Sequence, residues 1–164
     1  DSWTRVTKFP GQLDQGKLRD LAVAPHPRED GRIAFYGGTV STTFVNEGHI
    51  YNANDGSWAT LPQLTSAQLP AAAPRTAFFV AGRFGIFGGL TNGTEFSGQG
   101  ALLKADGLGW DLLPAGAPSP RVHASAVGVG RDVIFFGGRN VREGDASFTF
   151  EHFADGRILR IGPE

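Results

Sequence analysis

The sequence predicts an all-β chain assembled from about three copies of one four-stranded antiparallel unit. Three observations predict it. An apolar run leads into a Gly-Gly pair three times, at Gly37-Gly38, Gly88-Gly89 and Gly137-Gly138, spaced 51 and 49 residues apart. An Asp-Gly pair keeps the same beat at Asp55-Gly56, Asp106-Gly107 and Asp155-Gly156. No window carries a helical period over about ten residues.

Each element follows from local chemistry. Residues 1–8 read as an outer strand with no unit of its own, since Trp3 stands 55 residues before Trp58, about one repeat. The first unit spans 17–62, the second 74–114 and the third 120–162. Within each, an inner strand begins near an arginine. A second strand, such as Arg32 to Tyr36, Arg83 to Phe87 or Asp132 to Phe136, ends in Gly-Gly, where glycine supplies the backbone freedom for a bend. A third strand precedes Asp-Gly, a favourable hairpin turn. The fourth carries Trp58 and Trp110, with Ile158 in the tryptophan's place in the third unit, so Arg157 to Ile161 is expected to be that unit's fourth strand. The near-continuous apolarity of these short runs indicates strands covered on both faces.

A period near 50 residues is the length of a kelch repeat, and the order of markers carries the resemblance further. Arg75, Gly88-Gly89, Asp106-Gly107, Trp110 and Pro114 follow one another as in a kelch unit. Arg121, His123, Gly137-Gly138 and Asp155-Gly156 repeat much of that order. The chain therefore resembles the kelch-repeat β-propeller family over nearly its whole length. The resemblance implies three four-stranded antiparallel blades plus one orphan outer strand. Propellers usually close with four to eight blades, so the expectation is a segment of a larger propeller, either completed by a second chain or a second copy or cut from a longer chain. Three blades alone would leave apolar faces and strand edges open.

Composition narrows the function classes. Fifteen Lys+Arg stand against 16 Asp+Glu, a net charge of −1. This balance offers no electrostatic footprint for nucleic acid, and no run is long enough for a membrane helix. Cysteine is absent, which removes disulfides, thiolate metal sites and cysteine nucleophiles. It also removes the Cys–Tyr centre that the resemblance would require of a copper-radical oxidase. The four histidines, His26, His49, His123 and His152, show no metal-ligand spacing, and no nucleophile elbow occurs. No catalytic residue, metal or cofactor is expected from these residues. The missing methionine at position 1 leans toward an exported or processed product.

Recognition is expected on the face that carries the long polar loops, Thr39 to Glu47, Leu90 to Gly98 and Arg139 to Asp145. Arg19, Arg75 and Arg121 are expected to enter their first strands from that face and to grip carboxylates through bidentate hydrogen bonds. The alternative for each is a bond to backbone carbonyls that ties neighbouring loops. His123, Asn92, Glu95, Arg139 and Arg142 complete the candidate ligand-binding set. Asn92-Gly93-Thr94 also matches a glycosylation sequon, and reads more simply as a turn. The partner expected is a protein or peptide segment, or a carbohydrate. The competing reading is a piece of a kelch-fold enzyme, of sugar-modifying or oxidase type, whose other catalytic residues lie outside this chain.

Overall fold

The computed structural model describes residues 2, 9–10, 18–26, 31–91, 95–114, 118–141 and 149–162. Among them every regular element is a strand, and all pairings are antiparallel. The orphan-strand residues 3–8, Asn92 and Arg142 lie outside the described residues.

The first unit contains β1 (Leu18–Arg19), β2 (Ala22–Pro25), β3 (Arg32–Tyr36), β4 (Thr39–Val40), β5 (Thr43–Phe44), β6 (Gly48–Asn52) and β7 (Ser57–Thr60). Its main sheet has the order β2-β3-β6-β7, and β1-β4-β5 forms a small sheet beyond the Gly-Gly pair. The second unit repeats this plan with β8 (Ala72–Ala73), β9 (Thr76–Val80), β10 (Arg83–Phe87), β11 (Leu90–Thr91), β12 (Glu95–Phe96), β13 (Gly100–Leu103) and β14 (Trp110–Leu112). Its sheets are β9-β10-β13-β14 and β8-β11-β12. The third contains β15 (Ser125–Val129), β16 (Asp132–Phe136), β17 (Arg139–Val141), β18 (Phe150–His152) and β19 (Gly156–Arg160), paired as β15-β16-β19 and β17-β18.

Register explains why the glycine pairs recur. All six glycines have positive φ, from 66° at Gly37 to 103° at Gly89, a region that side chains disfavour. The first glycine of each pair donates its N–H across the unit, to Glu47, Gln99 and Asp155 respectively, at 2.8, 2.9 and 3.0 Å. The second accepts from Val45, Ser97 and Phe153. The bend thus redirects the chain from the main sheet into the small one while its polar groups stay paired.

The same register corrects the third unit. Gly156 lies opposite Phe136, as Gly48 lies opposite Tyr36 and Gly100 opposite Phe87. Gly156–Arg160 is therefore the third strand of its sheet, not the fourth, and Asp155-Gly156 is not the turn before an outer strand. The Asp155 carbonyl is occupied by Gly137 N–H. Among the described residues the third sheet has three strands, and the outer edge of β19 has no neighbour.

The three main sheets stack in chain order. Alternation along each strand gives every sheet a front face toward the next sheet and a back face toward the previous one. The front of the first sheet is small, with Ala22, Ala24 and Ala34 beside Tyr36. It receives the bulky back of the second, Phe84, Ile86 and Trp110, together with Leu61, Leu64 and Leu69 from the connection. Trp110 meets Tyr36 edge-on at 5.5 Å and donates from Nε1 to the Pro62 carbonyl at 2.7 Å. The front of the second sheet, Phe78, Val80, Phe87 and Leu102, packs on Val133 and Phe135 of the third. Small faces large at the first junction and rings interlock at the second, so both are dense.

Candidate functional site

Two of the candidate arginines are buried. Arg121 is 1% exposed. Its Nη1 donates to the Gly137 carbonyl at 2.8 Å and to Asp155 Oδ1 at 2.9 Å, and its Nε donates to the Ser119 carbonyl at 2.9 Å. The guanidinium also lies over the Phe153 ring at 4.1 Å. That hydrogen bond and charge hold the Asp155 carboxyl below the usual carboxylate range.

Arg75 is buried without a carboxylate partner among the described residues. Its Nη1 donates to the Gly88 carbonyl at 2.6 Å, Nη2 donates to the Pro70 carbonyl, and Nε has no acceptor. Burial lowers its pKa to about 10, which leaves it charged at neutral pH. The Tyr36 hydroxyl, also buried and unpartnered, is pushed well above the usual phenol range by the same loss of water.

The three arginines do not occupy equivalent places. Arg19 lies in β1 opposite Thr39, while Ala73 lies opposite Leu90 and Val122 bridges Arg139. Aligned on those pairings, Arg19 corresponds to Ala73 and Val122, and neither Arg75 nor Arg121 shares its position. Arg19 is exposed, and reaches the Ser41 carbonyl at 3.3 Å and Asp20 at 3.7 Å. Glu95 is exposed on β12 opposite Thr91, whose hydroxyl donates to the Glu95 carbonyl.

The remaining candidates converge. His123 sits at φ 57°, a conformation that histidine tolerates better than most residues, and its exposed ring is turned toward β17. Arg139 Nη2 and His123 Nε2 are 3.5 Å apart. Across the β17–β18 pair Arg139 lies opposite His152, which places both on one face. Glu151 lies opposite Asn140, whose side chain turns to the Pro120 carbonyl at 3.0 Å. The Arg139 guanidinium lies 4.2 Å from the centre of the Phe150 ring, a cation–π contact that steadies it.

The result is an open cavity of about 360 Å³ lined by His123, Gly138, Arg139 and His152. Among the described residues its lining offers a guanidinium and two imidazoles and no carboxylate. Such a lining suits an anion of carboxylate size. Sequence reasoning missed His152, which stands 13 residues beyond Arg139 and meets it only through strand register. Among the described residues no three His, Asp or Glu side chains gather around a common point for a metal, and no helix is long and apolar enough to cross a membrane. Searches against protein-family models and curated proteins find no match to this chain.

Proposed function

We propose that the chain is a kelch-type β-propeller segment that serves as a binding module, and that it recognises an acidic segment of a protein partner. What supports the propeller reading is the threefold recurrence of one plan: a main antiparallel sheet, a Gly-Gly bend and a small hairpin. One observation carries the binding reading, the cavity at which His123, Arg139 and His152 come together, with no carboxylate among the described residues of its lining. Arg139 is the anchor, held by Phe150 and free to present its fork to a carboxylate. His123 and His152 flank it as neutral donors or, when protonated, as further positive charge. Loops on a rigid sheet scaffold are the usual place for recognition.

Titration of the protein with a hexaglutamate peptide, followed by NMR shifts of the His123 and His152 rings, tests this reading. Saturable shifts are expected, with hexaglutamine inert. Arg139→Ala should weaken binding at least tenfold without moving the thermal midpoint by more than a few degrees. Equal binding by wild type and Arg139→Ala, or no shift at millimolar peptide, overturns the assignment.

A further inference from the structure

The first unit holds another cavity, away from Arg139 in the third. It measures about 560 Å³ and lies between residues 43–47, where β5 runs on toward β6, and residues 60–66, where the chain leaves β7. That volume falls within the usual range for small-molecule sites.

Both walls are built, and they are tied to each other. On one side the Gly37-Gly38 bend fixes residues 45–47 at each end. Gly37 N–H donates to the Glu47 carbonyl at 2.8 Å, and Val45 N–H donates to the Gly38 carbonyl at 3.1 Å. On the other side Leu69 N–H donates to the Thr65 carbonyl at 3.0 Å, and the Thr65 N–H and hydroxyl both donate to Gln68 Oε1. Asn46 Nδ2 joins the walls by donating to the Leu69 carbonyl at 2.6 Å. Leu61, Leu64 and Leu69 anchor the second wall in the core between the first two sheets. A cavity preformed in this way costs a ligand little ordering.

The floor is apolar, made by buried Val45, Leu61 and Leu64 with half-buried Phe44. The rim is polar and exposed, made by Thr43, Thr60, Gln63, Thr65 and Ser66. Among the described residues, Thr43, Thr60, Gln63 and Ser66 spend no side-chain hydrogen bond on the protein. The described lining holds no lysine, arginine or histidine.

Glu47 is the one charged group, and its place in the unit explains why its side chain is available. Its main-chain carbonyl does for the first bend what those of Gln99 and Asp155 do for the other two, so the bend makes no demand on the carboxylate. In the third unit the carboxylate at this place is taken by buried Arg121. In the first it lines the cavity, 26% exposed, and His49 Nε2 donates to its Oε1 at 2.9 Å. A carboxylate has about four acceptor positions, so the bond from His49 orients Glu47 and leaves most of them for a ligand.

This combination discriminates between ligand classes. An anion meets no cation in the lining. An ammonium would give up its hydration for one carboxylate already shared with His49, a poor exchange. A polyol brings donors to Glu47, and both donors and acceptors to the rim hydroxyls and Gln63. The C–H face of its ring suits Phe44 and the leucines. An apolar floor with a few placed polar groups is the usual build of such a site.

We propose that this cavity binds a neutral saccharide, with Glu47 accepting from its hydroxyls and Phe44 packing against its ring. The site shares no residue with the cavity at Arg139 and stands independently of the acidic-segment reading.

Titration with maltose, cellobiose and lactose, followed by amide NMR shifts, tests it. At least one sugar should give saturable shifts confined to residues 43–47 and 60–66 at millimolar concentration. Glu47→Gln keeps an oxygen for His49, so it should stay folded and bind at least tenfold more weakly for loss of a charge-assisted acceptor. Should that variant unfold, Gln63→Ala decides in its place, because Gln63 is exposed and its loss should weaken binding with the thermal midpoint unchanged. The proposal is overturned by no saturable shift with any of the three sugars, or by methylammonium shifting the same residues at equal or lower concentration. Unchanged affinity in the deciding variant overturns it as well. Arg139→Ala should leave sugar binding as it is, so sugar binding and acidic-peptide binding can fail independently.

Discussion

The guanidiniums of Arg75 and Arg121 donate to the same acceptor in two units, the carbonyl of the first glycine of a Gly-Gly pair, from places that do not correspond. Arg75 stands immediately before β9, and Arg121 stands four residues before β15. A flexible side chain with a five-donor fork can cover such an offset, so the bend recruits an arginine from whichever position the sequence provides.

The two arginines differ in what their loss leaves behind. Arg121→Ala strands the Gly137 and Ser119 carbonyls and also removes the partner of the Asp155 carboxylate, and should cost the more of the two. Arg75→Ala strands carbonyls alone and should cost less, about 1–3 kcal/mol. Urea unfolding of both variants checks the order. A smaller loss for Arg121→Ala would show that its burial is incidental.

Asp155 ties stability to pH. Its folded-state pKa is depressed, first by the hydrogen bond from Arg121. A depressed carboxylate contributes its full stability above its unfolded pKa of about 3.9 and loses it as pH falls through the lower folded value. Asp132 behaves alike through Arg160, which holds it at 2.8 and 2.9 Å. The thermal midpoint should therefore fall as pH drops below about 4. Asp155→Asn should start lower at pH 7 and fall less, and parallel curves for the two proteins would refute the link.

Much of this fold is written in the chain because its strongest signals are backbone requirements. Gly37-Gly38 and its two counterparts demand positive φ, so they mark true strand ends wherever they occur. Asp-Gly has no such obligation. Asp55-Gly56 is a turn, whereas Asp155-Gly156 keeps the beat by coincidence, because the longer excursion between β17 and β18 puts Gly156 at the start of a third strand. Spacing could not separate the two cases. Site residues were less legible. Where a guanidinium ends depends on four torsions, so an exposed Arg19 and a buried Arg121 look alike in sequence, and His152 joins Arg139 only once the register is known.

Gln99 offers a gain of stability. It occupies the place that Asp155 holds in the third unit, since each accepts the N–H of the first glycine of its pair. Arg75 at that bend has no carboxylate among the described residues, and its Nε has no acceptor. Gln99→Asp should supply the missing charge from an exposed position, where desolvation of the new carboxylate is small. A gain of about 1 kcal/mol at pH 7 is expected for a charge-assisted pair of this kind, disappearing below about pH 3. An unchanged midpoint at neutral pH would show that the carboxylate does not reach Arg75.

Glycine substitutions separate conformational from steric demand. At Gly130, with φ 62°, an added Cβ meets nothing within 4 Å, so Gly130→Ala should cost only the left-handed penalty of about 1–2 kcal/mol. Gly88 has φ 76° and would place Cβ 2.5 Å from the Arg121 carbonyl oxygen, so Gly88→Ala adds a backbone collision to that penalty. Gly128 is a purely steric case, its φ being outside the left-handed region. Its Cβ would fall 1.7 Å from the Phe79 carbonyl oxygen of the second sheet, a backbone atom that no side-chain rotation can move. Gly128→Ala must push the second and third sheets apart and loosen the Phe78–Phe135 contact, now at 5.3 Å. The expected order of loss in urea unfolding is Gly130→Ala smallest, with Gly88→Ala and Gly128→Ala each above roughly 3 kcal/mol, in the range of severe core disruption. A Gly128→Ala protein as stable as Gly130→Ala would mean that β9 and β15 do not approach as closely as this stacking requires.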